Sequence, residues 1–357
     1  MVRQKQAARL GAACFVFSMA VLLVIKVQAA GRSPNVPTKR AASIAATHEQ
    51  DCIQKGWQKL TVLVDGVPQQ LIWKGPPGPW EHGAIVVFHG GGGMATNYCS
   101  SLPVGQALVD YGIRLGRPMV DFAELALEEG FAVFSPDSGR GTLTDAQGNS
   151  CGKRWNCLVQ AHEKSSNRDL AFIQVLLQQT IPALRPPGSA ADIFAAGVSN
   201  GGFMTILTAT QFPDDITAFA PVSAGDPYGT HMDCSPGPIS IRKSAPGTFL
   251  DNETLRSIAK SHSCEAAAYL HEQSWPAALG TRKPPFKLFY HEGDGGVDTS
   301  CKEKVEKLLV ERRYPDDGSF IIKHRGKRTI QNHFWMQSYN RPILAFFMRS
   351  ARVTPGQ

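Results

Sequence analysis

The sequence predicts an α/β fold in which a mostly parallel central sheet is flanked by helices. Three observations point there. Apolar runs of strand length alternate with segments of helical spacing from residue 84 to residue 349. The runs at 84–88 and 192–196 are almost wholly apolar, as strands covered on both faces must be. And Gly197-Val198-Ser199-Asn200-Gly201 falls between a strand and a helix, where the chain has to turn sharply.

Taken in order, residues 1–29 read as a secretory signal peptide. Arg3, Lys5 and Arg9 lead into the apolar run 12–25, and Val27-Gln28-Ala29 offers small residues for cleavage. The run has 14 residues and ends at Lys26. Spanning a bilayer takes roughly 20, so no membrane span is expected after cleavage. The mature chain is expected to be secreted, into the medium or a periplasm. Cleavage removes four basic residues and no acid, taking the formal charge from +7 to +3 and with it the electrostatic case for nucleic-acid binding. The basic run Lys323, Arg325, Lys327 and Arg328 reads as a solvated loop. Seven cysteines remain: Cys52, Cys99, Cys151, Cys157, Cys234, Cys264 and Cys301. In an oxidising compartment they suit up to three disulfides, of a connectivity the sequence does not reveal. They lack zinc spacing, so no metal is expected, and no cofactor is called for.

Residues 30–50 carry no apolar periodicity and read as a flexible lead-in to a catalytic domain over 51–350. Two β-favouring runs, 60–64 and 67–73, flank Asp65-Gly66 and predict a hairpin. Strands are then expected at 84–88, 131–134, 192–196, 216–222, 286–290 and 319–323. Helices are expected at 120–129, 167–179, 200–211, 302–312 and 339–349. Residues 225–280, rich in Pro, Gly, Ser and aromatics, break the alternation and read as an insertion or lid after the nucleophile.

The chemistry starts at Ser199. G-x-S-x-G between a strand and a helix is a nucleophile elbow, whose glycines let strand and helix approach while the serine is held clear above the sheet. His89-Gly90-Gly91-Gly92-Gly93 follows the strand ending at Phe88. A glycine run there can turn backbone N–H groups toward a substrate oxygen. Gly91 and Asn200 are the expected oxyanion donors, with Gly90 and Gly92 close behind and His89 shaping the loop. A serine hydroxyl needs a base, and His333, between the last strand and the final helix, is preferred over His324. The base needs an acid. Asp294 and Asp298 both follow the strand at 286–290; Asp294 is preferred, Asp298 stays open, and Glu292 ranks third. Trp155, Tyr228, Trp275, Phe334 and Trp335 are candidates for shaping a substrate site.

Together these residues resemble the secreted poly(3-hydroxybutyrate) depolymerase and feruloyl esterase group of α/β-hydrolases. The resemblance runs from about residue 60 to residue 348. It rests on Phe88-His89-Gly90-Gly91-Gly92-Gly93, the stretch Arg168-Asp169-Leu170-Ala171-Phe172-Ile173, Ala196-Gly197-Val198-Ser199-Asn200-Gly201-Gly202, Asp294-Gly295-Gly296-Val297, and His333 followed by Trp335. It implies the α/β-hydrolase fold, a Ser199-Asp294-His333 triad, and an ester, polyester or feruloylated polysaccharide as substrate. A serine peptidase of the same superfamily and a catalytically inactive binding module fit the same residues and stand as alternatives.

Overall fold

The computed structural model describes residues 37–91, 93–102, 117–138, 143–144, 150–152, 155, 167–228, 275 and 282–351. The expected signal segment, Gly92, Cys157, Cys234, Cys264 and nearly all of the expected insertion lie outside them.

The chain enters through helix α1 (Pro37–Gln54) and the hairpin of β1 (Gln58–Val64) and β2 (Val67–Lys74). The hairpin register puts Val64 opposite Val67, and both turn residues, Asp65 and Gly66, have positive φ, as a two-residue turn matched to strand twist requires. Next come β3 (Ala84–Phe88), α2 (Arg117–Glu128) and β4 (Ala132–Pro136), then a small antiparallel ribbon of β5 (Leu143–Thr144) and β6 (Ser150–Gly152). Helix α3 (Arg168–Val175), β7 (Ile193–Val198), α4 (Asn200–Gln211) and β8 (Ala218–Val222) carry the centre. The chain closes with β9 (Phe289–His291), α5 (Thr299–Glu311), β10 (Phe320–Ile322) and α6 (Asn340–Ser350).

Eight strands form one sheet in the order β1-β2-β4-β3-β7-β8-β9-β10. The pairs β1–β2 and β2–β4 are antiparallel and all others are parallel. The expected mostly parallel sheet is what forms, and alternation along its strands sorts side chains onto two faces. Val86, Phe88, Ala195 and Phe219 join one core with α3, α4 and α5 side chains such as Leu170, Phe172, Met204, Leu207, Val305 and Leu309. Ile85, Val87, Phe194, Ala196 and Ala220 join the other, closed by α2 and α6. Helix α2 buries Met119, Phe122, Ala123 and Ala126, and α6 buries Ile343, Leu344, Phe346 and Phe347, each set a single stripe at helical spacing.

Two expectations change. The flexible lead-in is helical from Pro37: proline suits a first helical turn and the alanines that follow favour helix. Its end is tied down by the Cys52–Cys99 disulfide, by His48 Nδ1 at 2.8 Å from Ser100 Oγ, and by Lys55 donating to the Cys99 carbonyl. Helix α3 also runs on past the expected end, through a π turn at Leu176–Thr180 into a final turn at Ile181–Leu184. Pro182 has no N–H to give and its ring crowds the carbonyl four residues back, which accounts for the wider turn. Its start is fixed by Asn167, whose side chain accepts from the Leu170 N–H at 3.1 Å.

Candidate active site

The segments following β3, β7, β9 and β10 all leave the carboxyl edge of the parallel strands, where open α/β sheets present their clefts. Register brings them close: Gly197 lies opposite Phe88 on one side and Pro221 on the other.

After β7 the chain turns at Ser199 with φ 56° and ψ −122°, a backbone conformation that a residue with a side chain holds only under constraint. The constraint is local. Ser199 N–H donates to the Val222 carbonyl at 2.9 Å, and Phe203 N–H donates to the Ser199 carbonyl at 3.0 Å. The flanking glycines are there for contact: a Cβ on Gly197 would stand 2.5 Å from the Gly201 oxygen, and one on Gly201 would stand 2.2 Å from the Phe88 oxygen. No side chain fits at either position.

Ser199, His333 and Asp294 come together in a relay. His333 Nε2 lies 2.7 Å from Ser199 Oγ, and His333 Nδ1 lies 2.9 Å from Asp294 Oδ1. All three are buried, Ser199 at 7%, His333 at 5% and Asp294 at 0% exposure, so the contacts are little screened by water. His333 closes a short turn, Ile330–His333, whose entry residue Thr329 is bridged to Asp294: Gly295 N–H donates to the Thr329 carbonyl, and Thr329 N–H to the Gly293 carbonyl, each at 2.9 Å. Gly296 lies under the imidazole, where an added Cβ would be 2.5 Å from His333 Cγ.

The two candidate acids separate cleanly. Asp294 Oδ1 also accepts from the Gly296 and Val297 N–H groups at 2.7 and 3.0 Å, while Oδ2 accepts from Lys302 Nζ at 2.5 Å. Burial alone would raise this carboxyl, but the His333 and Lys302 partners and their hydrogen bonds outweigh it and hold Asp294 well below the usual carboxylate range. Burial draws Lys302 below its own ordinary value, and the ionised Asp294 against it opposes that shift. Asp298 instead caps α5, accepting from Ser300 N–H at 2.9 Å, and pairs with Arg328. It makes no contact with His333 among the described residues.

His324, the rival base, packs its ring against His291 at 4.9 Å and meets the Lys327 carbonyl, away from the serine. Glu292 pairs with Lys323 and accepts from the His324 N–H. Gly90 lies against Ser199, its added Cβ 3.4 Å from the Val198 oxygen and 3.8 Å from Ser199 Cβ, and Gly91 follows it in the turn. His89 is fully buried. Its Nε2 lies 3.2 Å from the Ser138 N–H and 3.3 Å from Asp137 Oδ1, and its Nδ1 lies 2.8 Å from the Gly90 carbonyl. It shapes the loop.

Sequence reasoning missed two features. One is Lys302; its signal is a lysine on the stripe of α5 that buries Val305 and Leu309. The other is the role of Trp155, which joins elbow to glycine loop. Its N–H donates to Asn200 Oδ1 at 2.7 Å, its carbonyl accepts from Asn200 Nδ2 at 3.3 Å, and its indole N–H donates to the His89 carbonyl at 2.9 Å. Trp335 is a core residue, bonded to Asn340 and packed on Tyr98 and Phe122. Tyr228 and Trp275 pack together, and Phe334 lies beside the His333 ring.

No family model matches the sequence, and no characterised protein matches it in a sequence comparison. Solved structures do resemble the fold. Est1E from Butyrivibrio proteoclasticus is 14% identical with a TM-score of 0.46, over 82% of this chain and 98% of that one. An acetyl xylan esterase from Aspergillus awamori is 15% identical with a TM-score of 0.49, over 82% and 99%. A bacterial membrane phospholipase A is 16% identical with a TM-score of 0.46, over 94% and 98%. Likenesses at these identities and TM-scores say nothing of function, and the fold rests on this chain's own elements. The strand order, the elbow after β7 and the loops after β9 and β10 make it the α/β-hydrolase fold.

Proposed function

We propose that the protein is a serine ester hydrolase working through an acyl-enzyme. The observation that carries this reading is the relay itself, with Ser199 Oγ, His333 and Asp294 linked by contacts of 2.7 and 2.9 Å. In the proposed cycle Ser199 attacks the ester carbonyl as His333 Nε2 takes the hydroxyl proton. His333 then returns that proton to the leaving alcohol. Asp294 keeps the Nδ1 proton directed at itself and stabilises the imidazolium. Water enters next, again deprotonated by His333, and releases the acid. The backbone N–H groups of Asn200, which opens α4, and Gly91 are the proposed oxyanion donors, each contributing about 3 kcal/mol in sites of this kind.

The substrate is proposed to be a polyester of the polyhydroxyalkanoate type or a feruloyl or acyl ester on a polysaccharide, following the motif resemblance. Action outside the cytoplasm is proposed from the signal-like leader, and the Cys52–Cys99 disulfide supports it, since such bonds persist in oxidising compartments. The test is a panel of p-nitrophenyl esters, methyl ferulate, a polyester film and a matched anilide. Hydrolysis of esters well above the anilide is expected; turnover of the anilide alone would replace this reading with a peptidase.

A further inference from the structure

Among the described residues, Lys302 is the charged side chain in contact with Asp294 that the proposed cycle does not use. It projects from the first turn of α5, one residue after the disulfide-bonded Cys301, and is 1% exposed. Its Nζ contacts the outer oxygen of Asp294 at 2.5 Å and lies 5.3 Å from the centre of the Tyr290 ring. A buried ammonium is costly to desolvate, and here the ionised Asp294 beside it offsets that cost. Its place is also specific. The Asp294 carboxylate is shared, one oxygen serving His333 and two backbone amides, the other serving Lys302.

We propose that Lys302 is a positioning residue of the relay, whose buried charge draws on the Asp294 carboxylate and thereby keeps His333 neutral, and able to take the Ser199 proton, at lower pH. The electrostatics follow from proximity. A carboxylate beside a histidine favours the imidazolium, and a cation on that carboxylate's other oxygen offsets part of the effect. The other titratable and charged groups around the cluster come from the cap of Lys302's own helix and from three further segments. They are Tyr290 and His291 on β9, Asp298 at the α5 cap with its partner Arg328, and Tyr339 ahead of α6. Asp298 and Arg328 are paired with each other, so Lys302 is the only unshared cation in contact with Asp294 among the described residues. The pair also locks the carboxylate in the plane that His333 needs, since both oxygens have fixed partners.

This inference rests on the proposed ester hydrolysis, and its test keeps the two separable. Lys302→Gln retains a donor without charge, Lys302→Met removes both, and Lys302→Arg retains the charge. Two readouts are followed against pH in full-length protein: the rate at which a fluorophosphonate labels Ser199, and the His333 imidazole resonances by NMR. The second needs no substrate. The expected result is an upward move of the acid limb and of the imidazole midpoint by about one pH unit in both neutral variants, with Lys302→Arg restoring most of it. An acid limb unchanged in Lys302→Gln and Lys302→Met, with only a lowered Tm, overturns the proposal and leaves Lys302 a stabilising residue. Failure of both neutral variants to fold assigns it the same way. A wild-type protein that turns over no ester refutes the enzymatic reading, while the imidazole midpoints still decide the role of Lys302.

Discussion

The elbow around Ser199 and the loop around Asp294 hold two members of one relay by opposite means. The elbow is set by steric exclusion: Gly197 and Gly201 admit backbone oxygens closer than any Cβ would allow, and Ser199 takes up the strain. The acid loop is set by charge and hydrogen bonding, with Asp294 receiving two backbone N–H groups, an imidazole and an ammonium. Parts fixed by sterics leave a short motif in the sequence. Parts fixed by charge draw partners from distant segments, and their pattern appears only once the chain has folded.

The largest expected effect falls on the relay, where both regions meet in the proposed reaction. Ser199→Ala should cut turnover of a short p-nitrophenyl ester by roughly four to six orders of magnitude with little change in Tm. Asp294→Asn should cost about 10⁴-fold in kcat, because the amide can hold the wrong imidazole tautomer.

The same carboxylate also ties stability to acid. Its folded-state titration is depressed, so its contribution is fully present above the ordinary carboxylate value of about 4 and is lost as pH falls below it. The Tm gap between wild type and Asp294→Asn should therefore narrow between about pH 5 and pH 2.

Gly201→Ala probes the steric side alone. Its Cβ meets the Phe88 oxygen, so a loss of about 3 kcal/mol by urea unfolding is expected, with activity falling as the elbow shifts. Asp298→Asn should be the mildest, since asparagine still caps α5. A loss of about 1 kcal/mol with the Arg328 pair gone, and kcat within roughly threefold of wild type, would mark Asp298 as structural. A loss in kcat as deep as that of Asp294→Asn would erase the distinction between the two acids.

The same contrast sets what could be read from the sequence. The alternating elements, the hairpin turn at Asp65-Gly66 and the sharp strand-to-helix turn at Ser199 follow from short-range rules, and the structure places them near where those rules put them. The sequence prefers Asp294 to Asp298 only because it lies nearer the strand end. Each follows the same strand, and only the bridge between Asp294 and Thr329 and the pull of Arg328 tell them apart. Lys302 and Trp155 left weaker marks. A lysine on an apolar stripe and a tryptophan in a loop have many ordinary explanations until their partners, from β9 onward and from the elbow, are in place. Helix α1 was hidden for another reason: its anchoring comes through Cys99 and Ser100, about fifty residues further along the chain.

The most direct test of the relay is covalent. Wild-type protein, His333→Ala and Ser199→Ala would each be treated with a fluorophosphonate near pH 8 and mapped by peptide mass spectrometry. A single adduct on the peptide carrying Ser199, strongly slowed in His333→Ala and absent in Ser199→Ala, is the predicted result. Folded wild-type protein that takes up no label, or takes it up on another serine, would contradict it.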